Sequence, residues 1–249
     1  GLLHIRTDTE PLSQALSTGF SVVRLKRDVL RQSSIGVLMT GRSVALTGSG
    51  RNMAYGVDGT FSFLENRLSI DTYWAQTQTD GAMGEGSSYR GKFDYNGDRY
   101  GVTVERLVVD DGFNPEVGFV RRRDMQKSAG RFRFSPRLSS VESIRKLSWS
   151  GSVDYIESSA GRTETRESDA EFGIEFENGD RFRFIYSRTY EFLPELFEIA
   201  PGVVLKVRGY DFDTARARIT FGQQRPISGS VLVEHGTFFG GQKTGLTLS

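Results

Sequence analysis

Two groups of charged side chains are dense enough to do chemistry. The first lies in Asp110–Arg123, reading DDGFNPEVGFVRRR, where Asp110, Asp111 and Glu116 put three carboxylates within seven residues. Hard oxygen ligands on a loop suit calcium, but the spaced D-x-D-x-D-G signature is absent. A loop with caps and ion pairs to Arg121, Arg122 and Arg123 is the plainer reading. Gly112, Asn114, Pro115 and Gly118 sit between Phe113 and Phe119, the composition of an ordered loop. Phe113, Phe119 and Val117 give it something to bury, so it reads as a plug or rim element. The second group sets Arg131, Arg133, Arg181, Arg183, Arg216 and Arg218 against Asp154, Glu171, Glu175 and Glu177. Such a set can be an electrostatic path for solutes, an anion-holding site, or a ladder of ion pairs between strands.

Catalytic alternatives are thin. Glu171 and Glu175 could act as a glycosidase pair, but four residues along one strand face is about 13 Å, beyond the usual carboxyl separation. His235, beside Glu234, reads as a rim histidine rather than a general base. Ser33–Ser34, Ser87–Ser88 and Ser158–Ser159 lack a G-x-S-x-G context, and no phosphate loop, dinucleotide fingerprint or zinc spacing occurs.

Composition narrows the class. The 249 residues hold no cysteine and two histidines, which excludes a disulfide framework, a thiolate metal site and a multi-histidine zinc site. Lys and Arg number 32 against 31 acidic residues, a net charge of +1 that gives no reason to expect nucleic acid. No cofactor is implied. Mean hydropathy is -0.38, and no apolar run approaches the roughly 20 residues of a membrane helix. A transmembrane β-barrel is compatible with both, because only alternate residues meet lipid.

The elements that must position these groups are strands. Tyr55, Val57, Phe61 and Phe63 share one face; Ala54, Gly56, Asp58, Thr60 and Ser62 share the other. The same alternation runs through Leu68–Trp74, Tyr89–Tyr95, Tyr100–Glu105, Arg131–Phe134, Leu147–Tyr155, Ala170–Glu177, Phe182–Tyr186, Ala215–Phe221 and Ile227–Glu234. Asn96-Gly97-Asp98 and Asn178-Gly179-Asp180 read as tight hairpin turns. About thirteen strands are expected, with no helical period; Pro194–Ala200 is the one segment that could be briefly helical. Short turns near Arg31, Asn66, Asn96, Ser139, Gly179 and Pro226 alternate with longer connections at 8–18, 41–51, 79–87, 110–125, 157–163, 193–208 and 235–243. An up-and-down meander then places the short turns at one end and the long ones at the other, as outer-membrane barrels do. Strands long enough to cross a bilayer, and aromatics near strand ends, point the same way. The chain opens and closes inside alternating segments, so residues 1–249 read as a single barrel domain excerpted from a longer polypeptide, with N-terminal and C-terminal parts missing.

Three stretches, Phe20–Ser43 (FSVVRLKRDVLRQSSIGVLMTGRS), Asn52–Phe61 (NMAYGVDGTF) and Asp110–Asp124 (DDGFNPEVGFVRRRD), together resemble the family called domain of unknown function 5916. The resemblance implies a bacterial outer-membrane β-barrel, usually preceded by a carbohydrate-binding-family-9-like domain. Some members are labelled membrane-associated hydrolases. The matching motifs lie in residues 20–124, and no catalytic residues carry over.

The expectation is therefore an all-β antiparallel meander forming part of a transmembrane barrel in the bacterial outer membrane, a pore or surface scaffold linked to carbohydrate uptake or envelope assembly. Its partners would be outer-membrane lipid and, through the long loops, a glycan or an envelope protein. A membrane-associated hydrolase and a soluble all-β binding module are the competing readings.

Overall fold

The computed structural model describes residues 1–12, 15–81, 86–138, 140–225 and 228–249. The turns expected near Ser139 and Pro226, and Ile227, have those residues outside the described set. Sixteen strands follow in order: β1 (Leu2–Thr7), β2 (Thr18–Val29), β3 (Ser33–Arg42), β4 (Asn52–Phe63), β5 (Leu68–Thr79), β6 (Gly86–Asn96), β7 (Tyr100–Val109), β8 (Met125–Phe134), β9 (Ile144–Glu157), β10 (Thr163–Phe176), β11 (Arg181–Leu193), β12 (Phe197–Ala200), β13 (Val203–Leu205), β14 (Arg208–Phe221), β15 (Gly229–Phe238) and β16 (Gly241–Leu248). Fourteen of them form one sheet in chain order, interrupted only where β12 and β13 pair as a separate hairpin between β11 and β14. β1 and β16 each have one neighbour in that sheet.

The all-β antiparallel meander is as expected, with three more strands than the alternation suggests. Two of them correct a specific expectation: Pro194–Ala200 is not helical, because Phe197–Ala200 pairs with Val203–Leu205. The connection expected at 235–243 is also shorter. Phe238 pairs with Gly241, and Phe239 and Gly240 turn between them with φ of 45° and 84°.

The contacts gather into two compact units. One comprises 1–94, 105–127 and 158–160; the other comprises 95–104, 128–157 and 161–249. In the first, register places Leu25, Val37, Val57 and Trp74 side by side across β2–β5, and the next row on the opposite face is Arg24, Leu38, Gly56 and Ala75. The apolar row is the uncovered one: Leu25 is 64% exposed and Trp74 41%. The most deeply buried strand positions include polar ones: Asn52 is 1% exposed and Thr77 2%, and Ser88, Thr40, Ser33 and Ser34 are also buried, beside Ala45, Ala54, Val108, Val109 and Phe113. That inverts the rule for a water-soluble sheet, where the apolar face is the covered one.

The second unit sorts the same way. Trp149, Phe172, Phe184, Ala217, Val233 and Leu246 align on one face, and Ser148, Gly173, Arg183, Arg218 and Leu232 on the other. Aromatic rings run along the apolar face from Tyr100 to Phe134, Trp149 and Phe172, with centroids 5.3, 6.0 and 5.4 Å apart in turn. A buried hydrophobic cluster of Leu193, Leu205, Tyr210 and Phe212, with Ile199 and Phe239 against it, lies where the β12–β13 hairpin meets β11 and β14. Tyr210 fixes the hairpin's return by accepting from the Lys206 N–H and donating to the Lys206 carbonyl, both at 3.0 Å.

Candidate functional site

The β7–β8 connection folds back onto the charged face of its own unit. As β7 ends, the Asp110 N–H donates to the Ser87 carbonyl, and the Asp110 carboxylate accepts from Ser87 N (3.0 Å) and Oγ (2.6 Å). Phe113 N–H closes a turn onto the Asp110 carbonyl at 3.1 Å, and the Phe113 ring is buried. Two strand residues then read the loop backbone. Thr77 Oγ1 accepts from Asn114 N–H at 2.9 Å. Asn52 donates to the Asn114 carbonyl at 2.9 Å and to Thr79 Oγ1 at 2.8 Å, and accepts from Glu116 N–H at 3.0 Å. An amide can do this because it carries donor and acceptor on one side chain. Between them sits Pro115, which has no N–H to satisfy. Gly86 completes the seat: a Cβ there would overlap the backbone of Gly112 and Phe113.

Glu116 is held inward. Its carboxylate accepts from Leu46 N–H at 2.8 Å and lies 3.8 Å from Arg42 Nε, with the side chain 1% exposed. The loop's carboxylates thus diverge, Asp110 to Ser87, Glu116 to Leu46 and Arg42, with Asp111 exposed. Arg42 is thus a cation beside Glu116. Phe119 also corrects an expectation: it is 83% exposed and buries nothing for the loop. Beneath the loop is a cavity of about 630 Å³ with apolar walls from Leu38, Ala54, Ala75, Val109, Phe113 and Val117; Arg121 lies at its edge. Thr40, buried in its wall, has a hydroxyl without a hydrogen-bond partner.

Further along the same face, Arg24 crosses Gly36 to grip Asp58 with both guanidinium nitrogens, Nη2 to Oδ1 at 2.8 Å. A Cβ at Gly36 would overlap that guanidinium, so glycine is what lets the pair span β3. Arg90 pairs with Glu105, which also lies 3.8 Å from Lys127 Nζ. Charge alternates along this row: plus, minus, plus, minus, plus.

The expected arginine and glutamate set falls in the other unit. Arg183 pairs with Glu171 at 3.0 Å, and Arg145 with Glu175 and Glu177, both at 3.3 Å. Arg216 donates to Ser187 Oγ at 2.7 Å. Arg133 turns to the β6–β7 turn, donating to Asn96 Oδ1 (2.9 Å), the Gly97 carbonyl (2.7 Å) and Ser135 Oγ (2.8 Å). Arg131 is exposed. Arg181 and Arg218 are exposed and make no ion pair among the described residues. His235 lies within β15, opposite Ala215 on the apolar face, and its Nδ1 shares a 2.9 Å hydrogen bond with Thr244 Oγ1.

Two turns are pinned by carboxylates. Asp98 bonds Arg137 through both nitrogens (3.0 and 3.2 Å), and that hydrogen bonding holds its pKa below the usual range. Asp180 accepts from Gly222 N–H at 2.9 Å and from Arg225; the backbone N–H first, then Arg225, holds its pKa down.

Asn52, Thr77 and Gly86 were invisible as site residues in the sequence, since nothing local marks a polar strand residue as the anchor of a loop many strands away. Comparison with protein-family profiles, curated proteins and solved structures gives no match for this chain.

Proposed function

We propose that this chain forms wall of a β-barrel in the bacterial outer membrane, serving as a pore or surface scaffold. The apolar face meets lipid and the charged face lines the interior. The observation that carries this reading is the uncovered apolar face that each unit presents. Leaving a large apolar side chain in water instead of burying it forgoes about 1.5–3 kcal/mol, and exposed apolar patches of this extent mark a surface made for another apolar phase. The long strands fit: β4 and β5 have 12 residues, β9 and β10 have 14, and about 9–11 tilted residues cross a bilayer. No helix is long and apolar enough to cross a membrane, which bears only on helical spans. The resemblance to domain of unknown function 5916 supports the same reading. Outer-membrane lipid is then the obligate partner, and a glycan or envelope protein would meet the connections between strands.

A pore or scaffold is favoured over a hydrolase because the acidic candidates are tied to separate arginines. Glu171 is held by Arg183 and Glu175 by Arg145, while His235 faces the apolar side.

The chain's two tryptophans, Trp74 and Trp149, both lie on the apolar face, which gives a direct test. In vesicles made with acyl-chain-brominated lipid, the fluorescence of both should be quenched, and soluble acrylamide should quench little. Acrylamide quenching with no bromolipid effect would refute the membrane reading. Conductance steps in planar bilayers separate an open pore from a closed scaffold.

A further inference from the structure

We infer that the charged face of β10, β11 and β14 carries a binding site for a soluble phosphate-class oxyanion, centred on Arg183 and Arg218. The β11–β14 register sets Arg183 directly opposite Arg218, with Arg216 two residues along one strand and Arg181 two residues along the other. Directly opposed residues in an antiparallel pair have Cβ atoms about 4.5–5.5 Å apart, and like charges there are destabilising. A purely structural ladder would avoid this, as the alternating Arg24–Asp58 and Arg90–Glu105–Lys127 contacts do.

The nearby carboxylates do not resolve the conflict. Glu171 serves Arg183 alone at 3.0 Å, and Glu175 goes to Arg145 although Arg181 is its cross-strand neighbour. Glu234, opposite Arg216, pairs with Lys243 at 2.5 Å. Asp169 reaches Arg216 only through the Ser187 hydroxyl, while Arg181 and Arg218 are left without an ion pair among the described residues and Arg216 Nε is buried without a hydrogen-bond partner. Positive charge is in excess where the fold has placed arginines face to face.

Room for an anion is present. Gly173, opposite Arg183 on this face, lines a cavity of about 400 Å³ whose charged walls are four cations, Lys146, Arg181, Arg183 and Arg218, against two carboxylates, Glu171 and Glu175, with the hydroxyls of Ser148 and Thr220 beside them. A second cavity of about 260 Å³ lies among Arg183, Arg216 and Arg218. Guanidinium forks match tetrahedral oxyanions bidentately, and the hydroxyls of Ser148 and Thr220 can donate to the remaining oxygens. The ligand is soluble rather than a lipid headgroup, because the site is on the opposite face from the apolar row. This inference names the solute class of the proposed barrel interior and rests on that reading only for how the solute arrives; binding itself needs no membrane.

The test is calorimetric titration of the full chain in detergent with inorganic phosphate, against chloride at equal ionic strength. Saturable binding is expected with phosphate and not with chloride. R218Q should weaken it at least tenfold, R218K should recover little because lysine lacks the fork, and R51Q, in the β3–β4 connection, should leave it unchanged. No saturable phosphate binding, or equal losses in R51Q and R218Q, would overturn the site. Bromolipid quenching of the same samples keeps the two claims apart. Quenching without phosphate binding removes the site and keeps the wall; phosphate binding without quenching removes the wall and keeps the site.

Discussion

Replacing Asn52 with alanine removes the side chain that holds the β7–β8 connection to the sheet. Three hydrogen bonds go with it: to Thr79 Oγ1, to the Asn114 carbonyl and from Glu116 N–H. Each contributes about 1 kcal/mol net, and a buried group left without a partner costs about 1–3 kcal/mol. The substitution strands the Asn114 carbonyl and the Glu116 N–H beside a pocket that Asn52 fills at 1% exposure. Water entering on opening offsets part of this, so a local loss of roughly 3 kcal/mol is expected. At tenfold per 1.4 kcal/mol, the opening equilibrium of the loop rises about a hundredfold. The assay is hydrogen exchange by mass spectrometry in detergent. The peptide spanning residues 112–120 should exchange about a hundredfold faster, while peptides within β4 and β5 keep their protection, because their ladders pair through backbone. Thr77→Val removes the acceptor of Asn114 N–H and a hydroxyl donor 3.4 Å from the Gly86 and Gly112 carbonyls, and should give a smaller effect on the same peptide. Unchanged exchange in 112–120, or equal loss of protection in β4 and β5, would refute the claim that Asn52 anchors this loop.

Gly86→Ala should release the same loop by a steric route, since its Cβ would meet the Gly112–Phe113 backbone; limited proteolysis should then cut within 110–124 while the wild type resists. Asp180 makes the β10–β11 turn acid-sensitive. Its folded pKa is depressed, so its contribution is present above the ordinary value of 3.8 and is lost as pH falls through the lower folded value. Exchange at Gly222 N–H should therefore rise, once corrected for intrinsic rates, from about pH 5 to about pH 2, and D180N should abolish that dependence.

The strands were legible because alternation is local. Each residue's face is fixed by its neighbours two positions away, and Asn-Gly-Asp marks two of the turns in plain chemistry. What was missed lacks a local signal. β12 and β13 are too short to show a period and are held by Tyr210 and Phe212 from a later strand. The turn after β15 hides because a phenylalanine, Phe239, occupies its left-handed position where Asn or Gly would be expected. The loop was recognised as ordered, but its anchors were not: Asn52 lies 62 and 64 positions from the backbone groups it holds. The arginines were legible as a set, whereas the opposition of Arg183 and Arg218 depends on register, which the two strand sequences leave open.

That opposition also differs from the rest of the charged face in what covers it. In the first unit, the β7–β8 connection folds over the ends of β4, β5 and β6, where Thr77 and Asn52 bond its backbone and Ser87 bonds the Asp110 carboxylate. In the second, the β12–β13 hairpin packs onto Leu193, Tyr210 and Phe212, at the end of β11 and the start of β14. Arg181 and Arg183 begin β11, and Arg218 lies near the end of β14, so the hairpin leaves them open; the Arg183 side chain is 59% exposed. Folded-back segments thus cover Asn52 and Thr77 in one unit and an apolar cluster in the other. The part left open is where charge is unbalanced, and local rules are most often broken at sites kept for a ligand. A merely space-filling arrangement would place its covering segments the other way round, over the unmatched arginines.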